Sequence, residues 1–447
     1  MPQSLERSLG DILAALTGDD PEGVASAEYT AGLISKALAG GIVPGLAAEL
    51  ANVYNPLTYG AAGDGVADDQ PAIQAALDAA DDAGGGTVRL SGGTYRVESP
   101  LQIGDYTTLD MATDAIILRD HIGTGSANAT IRNKQQVLEG NTNIVIRGGR
   151  IESTADNANT GKHIALRGVL HSQIRDVRIG QVWGDWAINI SGSYVSVDGV
   201  HIDTGDNTDT SFQDGIHLTG GRFITISNCV IKSDDDCLSF TQDVNAFEPL
   251  EDVTVSNCAV FARGSSAIKV TVDGASGTDE HIHRLRVQGI TGKGGDGAGV
   301  PINMFDETQD DRIVGVTLDG VKLDCSENGG HGCQIYDVVD VILQGVALES
   351  PQAKSFHILR CRDLKLVDCS SKTPRAANIA FDIDGCINIE VRNCRMESAL
   401  GTSFKIQNST NARLLYCQTR LPGGTSFDVA TGNTPAAVNT GNVAAVT

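Results

Sequence analysis

Two short stretches hold the residues best suited to chemistry. Asp214 begins Asp214-Gly215-Ile216-His217-Leu218, and Asp235 and Asp236 lie in Ser233-Asp234-Asp235-Asp236-Cys237-Leu238. Each is a carboxylate-bearing turn that runs into a short apolar strand, and the two lie about one structural repeat apart. Carboxylates on one face are what general acid–base chemistry on a glycosidic bond requires: one protonated for the leaving oxygen, another ionised to activate water. Neighbouring like charges push one pKa upward and so create that division. A single Asp here would be explained by a turn, its oxygens bonding backbone amides. Three on consecutive repeats point to catalysis.

Such stacking needs a repeating scaffold, and the chain has one. From residue 140 onward an apolar–any–apolar–two others–apolar pattern begins at Ile144, Ile174, Val195, Ile224, Val253, Leu285, Val316, Val341, Leu364, Ile389 and Ala412. Period-2 alternation inside repeats of roughly 20–30 residues marks a β-solenoid with one coil per repeat. Five residues after each start, Cys229, Cys258, Cys369, Cys394 and Cys417 alternate with Ile and Val, so these thiols are expected in a core column as small hydrophobes and not in disulfides. A second strand precedes each repeat, and its outward positions read Asn189, His217, Ser239, Lys269 and Asn303, followed by His357 and Lys405. This hydrogen-bonding column is expected to face solvent and to bind an extended polar polymer. With coils about 4.8 Å apart, the three carboxylates should lie close enough to couple, and inversion would place acid and base roughly 6.5–9.5 Å apart.

The remaining sequence bounds the partners. A net charge of −23 disfavours nucleic acid, and no basic amphipathic or long apolar stretch supports membrane insertion. Fifty-two glycines and only 4% aromatics fit many short strands joined by tight turns. Residues 1–53 carry helical periodicity and are expected to form a helical adaptor or cap. Residues 421–447 read as a low-complexity tail. The N-terminus has no basic start and apolar core of a signal peptide, so a virion or extracellular location without a secretion signal is expected. Asp64, Asp68 and Asp69 precede a helix in which Asp69 is the expected cap and Pro71 lies in the first turn. Capping and turn roles explain these three better than a metal loop, and no metal or cofactor is expected.

At these motifs the sequence resembles the polygalacturonase family of right-handed parallel β-helix glycosidases, over roughly residues 55–420. Asp214-Gly215-Ile216 resembles that family's Asn-Thr-Asp-Gly-Ile segment, and Asp235-Asp236-Cys237 its Gly-Asp-Asp-Cys segment. The resemblance implies an all-β fold, a right-handed single-stranded parallel β-helix preceded by a short helical segment. It also implies that Asp235 is the general acid and that Asp214 and Asp236 position and activate water. Phe212, Gln213 and Asp234 depart from these motifs. Ser265-Ser266-Ala267 stands where the family has Gly-His-Gly, and Asn303-Met304-Phe305 where it has Arg-Ile-Lys, which argues against polygalacturonate. Lys269 and His217 are the substitute substrate contacts. Residues 59–97 resemble the opening module of pectate-lyase-like β-helix proteins found in phage tailspikes, implying a homotrimer attached to a virion through residues 1–53.

Three functions, and after them a purely structural role, remain open on the sequence. The first is an endo-acting, inverting glycoside hydrolase, such as a tailspike depolymerase that cuts a surface glycan. The others are a virion protein that holds glycan without cutting it, and a polysaccharide lyase or epimerase.

Overall fold

The computed structural model describes residues 52–154, 161–205, 213–242, 247–272, 280–294, 302–306, 311–326, 330–351, 353–372, 379–397, 402–421, 427–428 and 438–446. The chain divides into two compact units, Met1–Val53 and Tyr54–Thr447. The helices expected within 1–53 lie outside the described residues.

The second unit opens with a 3-10 turn at Pro56–Tyr59, a strand at Asp64–Asp68 and helix α1 at Gln70–Asp82. Ile73, Ala76, Leu77 and Ala80 form the buried stripe of α1. Asp69 holds the N-cap position, but its side chain does not cap the helix. Its two oxygens instead accept the backbone N–H groups of Ala62 and Gly63, at 2.6 and 3.1 Å, and fasten the preceding loop. Asp64 and Asp68 likewise accept backbone amides. The turn roles therefore hold for all three, and the cap role for Asp69 is corrected.

The rest is a parallel β-helix. Successive strands such as Ile188–Ser193, Ile216–Ser227, Leu238–Gln242, Ile268–Val272 and Ile302–Asp306 pair in parallel, one rung above another. Their inward residues form continuous columns. One runs Ile188, Ile216, Leu238, Ile268, Ile302, Cys333 and Phe356, then continues through Phe381 and Phe404 to Phe427. The four phenylalanine rings stack with centroids 4.5, 4.5 and 5.5 Å apart, because identical side chains on adjacent parallel strands meet face over face. All ten cysteines are buried free thiols.

One repeat start is corrected. Ile174 pairs with Ile146 and Val197, so the slot equivalent to Ile144 and Val195 belongs to Ser172. Ser172 is buried and polar, which hid it from an apolar pattern. Its hydroxyl donates to the Leu170 carbonyl and accepts the N–H of Ile144. The corresponding core residue is Val177, not Ile179. Strands at Val438–Thr440 and Val443–Val446 also pair with Thr410–Leu415 and Gln418–Leu421, carrying the ladder beyond residue 421.

The corners of the coil use left-handed backbone. At one of them, Asp252, Arg284, Gly315, Asp340, Asp363, Asn388 and Asn411 all have positive φ. Asn, Asp and Gly tolerate this conformation best, which accounts for much of their abundance.

Candidate active site

Asp214, Asp235 and Asp236 meet at the N-terminal edge of adjacent rungs. One carboxylate oxygen of each lies within 4.8 Å of one from each of the others. The local packing explains this closeness. Gly215 passes so near the next rung that a Cβ there would sit 2.3 Å from Ile231 Cγ2 and 2.6 Å from the Cys237 carbonyl. The Gly215 N–H donates to the Asp236 carbonyl, and the Asp236 N–H donates back to Asp214 Oδ1 at 3.1 Å. The separation is shorter than the 6.5–9.5 Å expected for inversion. This reciprocal bonding draws the two turns together.

The three carboxyls sit in different surroundings. Asp214 and Asp236 are buried, whereas Asp235 is partly exposed. Burial first, and then the Asp214 and Asp236 charges, push Asp235 up to about 7. Burial and the Asp236 charge also hold Asp214 well above the usual carboxylate range. Asp236 Oδ1 accepts the Ser266 N–H at 2.9 Å, while Oδ2 forms an ion pair with Lys269 Nζ at 3.2 Å and has no hydrogen-bond partner among the described residues. Burial pulls the Lys269 pKa down, but the carboxylates of Asp236, Asp214 and Asp235 outweigh it and leave the ammonium above its ordinary value. Lys269 thus supplies the counter-charge of the cluster.

His217 Nδ1 shares a 2.5 Å hydrogen bond with Asp214 Oδ2. The Trp186 ring stacks on the imidazole, with centroids 3.5 Å apart and planes 15° apart. Lys162 Nζ lies 4.0 Å above the Trp186 ring and pairs with buried Asp185. The order Asp185, Lys162, Trp186, His217, Asp214, Asp236, Lys269 therefore forms one contiguous polar and aromatic assembly. Sequence reasoning missed Trp186, Lys162, Asp185 and the Ser266 amide. Trp186 left a signal, being one of two tryptophans in 447 residues.

The outward column exists in register: Asn189, His217, Ser239, Lys269, Asn303, Gln334, His357, Asp382 and Lys405. Gln334 and Asp382 are its two members the sequence reading omitted. Its solvent-facing character is corrected for three positions, since Asn189, His217 and Ser239 are 2%, 4% and 0% exposed. Asn189 accepts from Ser126 Oγ at 2.9 Å, and its amide donates to the His217 carbonyl at 3.3 Å. The Ser239 hydroxyl bonds to that of Thr241 at 3.1 Å. Asn189 and Ser239 are therefore spent on structure, and His217 is held between Trp186 and Asp214. Lys269 and Asn303 stay half-buried and reachable.

A parallel β-helix bearing a carboxylate cluster at one strand edge is the class that fold and site define. The model of the family described as "Rhamnogalacturonase A/epimerase, pectate lyase-like" matches residues 52–284, just over half of the chain, and the protein belongs to this family. Among curated proteins, mannuronan C5-epimerase AlgE3 of Azotobacter vinelandii is 46% identical over 82 residues, 18% of this chain and 4% of its own length. Alginate lyase 7 of the same organism is 43% identical over 83 residues, 18% of this chain and 9% of its own length. The shared stretch thus spans under a tenth of either relative. Among solved structures, the A-module of mannuronan C-5 epimerase AlgE6 from Azotobacter vinelandii aligns over 88% of this chain and 99% of its own, with TM-score 0.51 and 16% identity. The Yersinia enterocolitica family 28 exopolygalacturonase aligns over 88% and 77%, with TM-score 0.53 and 14% identity. The bacteriophage phi29 gene product 12 aligns over 87% and 57%, with TM-score 0.52 and 14% identity. At these identities the likeness is one of fold.

Proposed function

We propose that the protein is a polysaccharide-degrading glycoside hydrolase whose reaction is run by Asp214, Asp235 and Asp236. The observation that carries this reading is the asymmetry of the cluster. Asp235 is the accessible carboxyl and holds its proton to about pH 7, as a general acid for a glycosidic oxygen must. Asp236, anchored by the Ser266 amide and Lys269, is placed to take a proton from water, with Asp214 fixing its backbone. His217 and Trp186 hold Asp214 in place from behind. Lys269 and Asn303 are the substrate contacts on the open part of the face. The stereochemical course is left to the product, because the short carboxyl separation does not favour inversion over retention.

A second reading is uronate epimerisation or lyase chemistry. It is favoured by the curated sequence matches and by Lys269, a cation that could neutralise a uronate carboxylate beside the bases. One experiment separates the two. A panel of capsular, lipopolysaccharide, algal and plant polymers is incubated with the protein and followed by chain length, ultraviolet absorbance and proton NMR. Shortening without an unsaturated product, lost in Asp235→Asn, supports hydrolysis. An unsaturated end or an inverted C5 centre at constant length sinks it. In this reading the enzyme is extracellular or virion-borne, a homotrimer attached through residues 1–53. Light scattering that returned a monomer would remove that assembly.

A further inference from the structure

Away from the carboxylate cluster, the face formed by the strands Arg178–Gly180, His201–Asp203, Val230–Ser233 and Ala259–Ala262 carries a groove of about 890 Å³. Its composition departs from that of the chain. Arg150, Arg178, Lys232 and Arg263 line it against only Glu152 and Asp203, in a protein of net charge −23. His201 adds a titratable ring.

The register makes this arrangement costly by itself. Arg150 pairs with Arg178, and Arg178 with His201, so two guanidinium groups stand directly across adjacent rungs. Like charges in that relation destabilise a sheet. Arg150 is relieved by Glu152, Lys232 by Asp203, and Arg263 by Asp203 and Asp234. Among the described residues Arg178 has no carboxylate partner. Beside this charged column, Phe261 and Val230 remain 42% and 37% exposed on the groove floor. An aromatic ring for a sugar face next to guanidinium forks for an anion is a recognition set for an acidic sugar. From Arg150 to Phe261 the wall climbs four rungs, roughly 19 Å at the usual inter-strand spacing, which calls for an extended ligand. Ordinary small-molecule pockets have comparable volume but are enclosed, whereas this groove is open along its length.

We infer that this groove is a second glycan-binding site, which holds an anionic polysaccharide segment through Arg150, Arg178, His201 and Lys232 with Phe261 beneath it. It is separate from the carboxylate cluster. The two are joined by Arg263, whose guanidinium contacts Asp203 in the groove wall and Asp234, the neighbour of Asp235. A long anionic polymer bound here would be retained close to the cluster, whatever reaction the cluster performs.

The test measures binding, not turnover, so it stands apart from the proposed reaction. Full-length Asp235→Asn protein is titrated with polyuronate, with dextran sulfate and with neutral dextran, in low and high salt. Binding of polyuronate alone or of both acidic polymers supports the groove, and the choice identifies the anion. Adding Arg178→Glu should weaken that binding at least tenfold and flatten its salt dependence, and Lys232→Gln should weaken it about threefold. Both positions are exposed, and thermal unfolding confirms that the variants fold. Unchanged affinity in both variants overturns the proposal, and so does neutral dextran binding as tightly as the acidic polymers.

Discussion

Replacing Asp214 by Asn tests whether Asp235 is the proton donor, through pH dependence. Asp235 stands at about 7, raised by burial first and by the charges of Asp214 and Asp236 after that. A carboxylate charge at 4.8 Å, the outer limit of the spacing here, is worth about 3.5 kcal/mol at an effective dielectric near 20, roughly 2.5 pH units. The real share is smaller, because burial is the leading cause of the shift and solvent at the partly exposed Asp235 screens the pair. About one pH unit is expected. The direction follows from charge: removing a neighbouring anion favours ionised Asp235 and lowers its pKa. On the proposed mechanism activity needs Asp235 protonated, so the wild-type rate is expected to fall as pH rises through about 7. In Asp214→Asn that falling limb should move down to about pH 6. The Asn side chain keeps an oxygen for the Asp236 amide and a group for His217, which preserves the geometry. The assay is the pH profile of kcat/KM for reducing-end release, paired with carboxyl carbon NMR in which Asp235→Asn identifies the resonance. A limb that stays at about 7 or moves upward refutes the assignment of Asp235 as acid beside a charged Asp214.

The same carboxyl costs stability. Its folded pKa lies above the ordinary 3.8, so between about pH 4 and 7 the unfolded chain releases a proton that the folded chain retains, and stability falls across that window. Asp235→Asn should match wild type near pH 4 and be about 2 kcal/mol more stable at pH 8, a ceiling of roughly 4 kcal/mol discounted for partial exposure. Denaturant melts at both pH values check this, and an equal difference at both would contradict it. Gly215→Ala should cost about 2–3 kcal/mol and remove nearly all activity, since the added methyl meets the Cys237 carbonyl and displaces Asp214; a folded, fully active variant counts against that account. Phe404→Ala opens the ring stack and should cost about 3–5 kcal/mol, with faster hydrogen exchange confined to nearby rungs because each coil contacts only its neighbours. Uniformly faster exchange along the solenoid would be the wrong pattern.

Much of the fold was legible because a parallel solenoid prints its register into the chain. Period-2 strands recur once per coil, so Ile188, Ile216, Leu238 and Ile268 share a column in space although the coils differ in length. The cysteine column was legible for the same reason, since Cys, Val and Ile are interchangeable at that volume. The register slipped where chemistry replaced volume. Ser172 fills an apolar slot with a hydroxyl that satisfies two backbone groups, and no periodicity in apolar residues reveals such a trade.

The candidate site divides along the same line. Asp214, Asp235 and Asp236 were legible because each sits at a fixed offset before a strand that the repeat locates. Trp186 and Lys162 hold the same offset, two residues before Ile188 and Ile164, but were missed because neither is a carboxylate and they join the cluster by stacking and by a cation over a ring. The column also misled where it was most regular. Alternation correctly set Asn189, His217 and Ser239 outside the apolar core, but being outside the core is not being in water. Trp186 lies over His217, Ser126 bonds Asn189, and Thr241 bonds Ser239, so these positions form a second, polar interior above the sheet. That interior lies against Asp214 through His217, where burial raises the carboxyl. A face left open to solvent, as alternation alone implies, would leave Asp214 and Asp235 as ordinary carboxylates with no proton to give at neutral pH. The proposed acid role of the cluster therefore rests on the cover over one end of the polar column, at Asn189, His217 and Ser239.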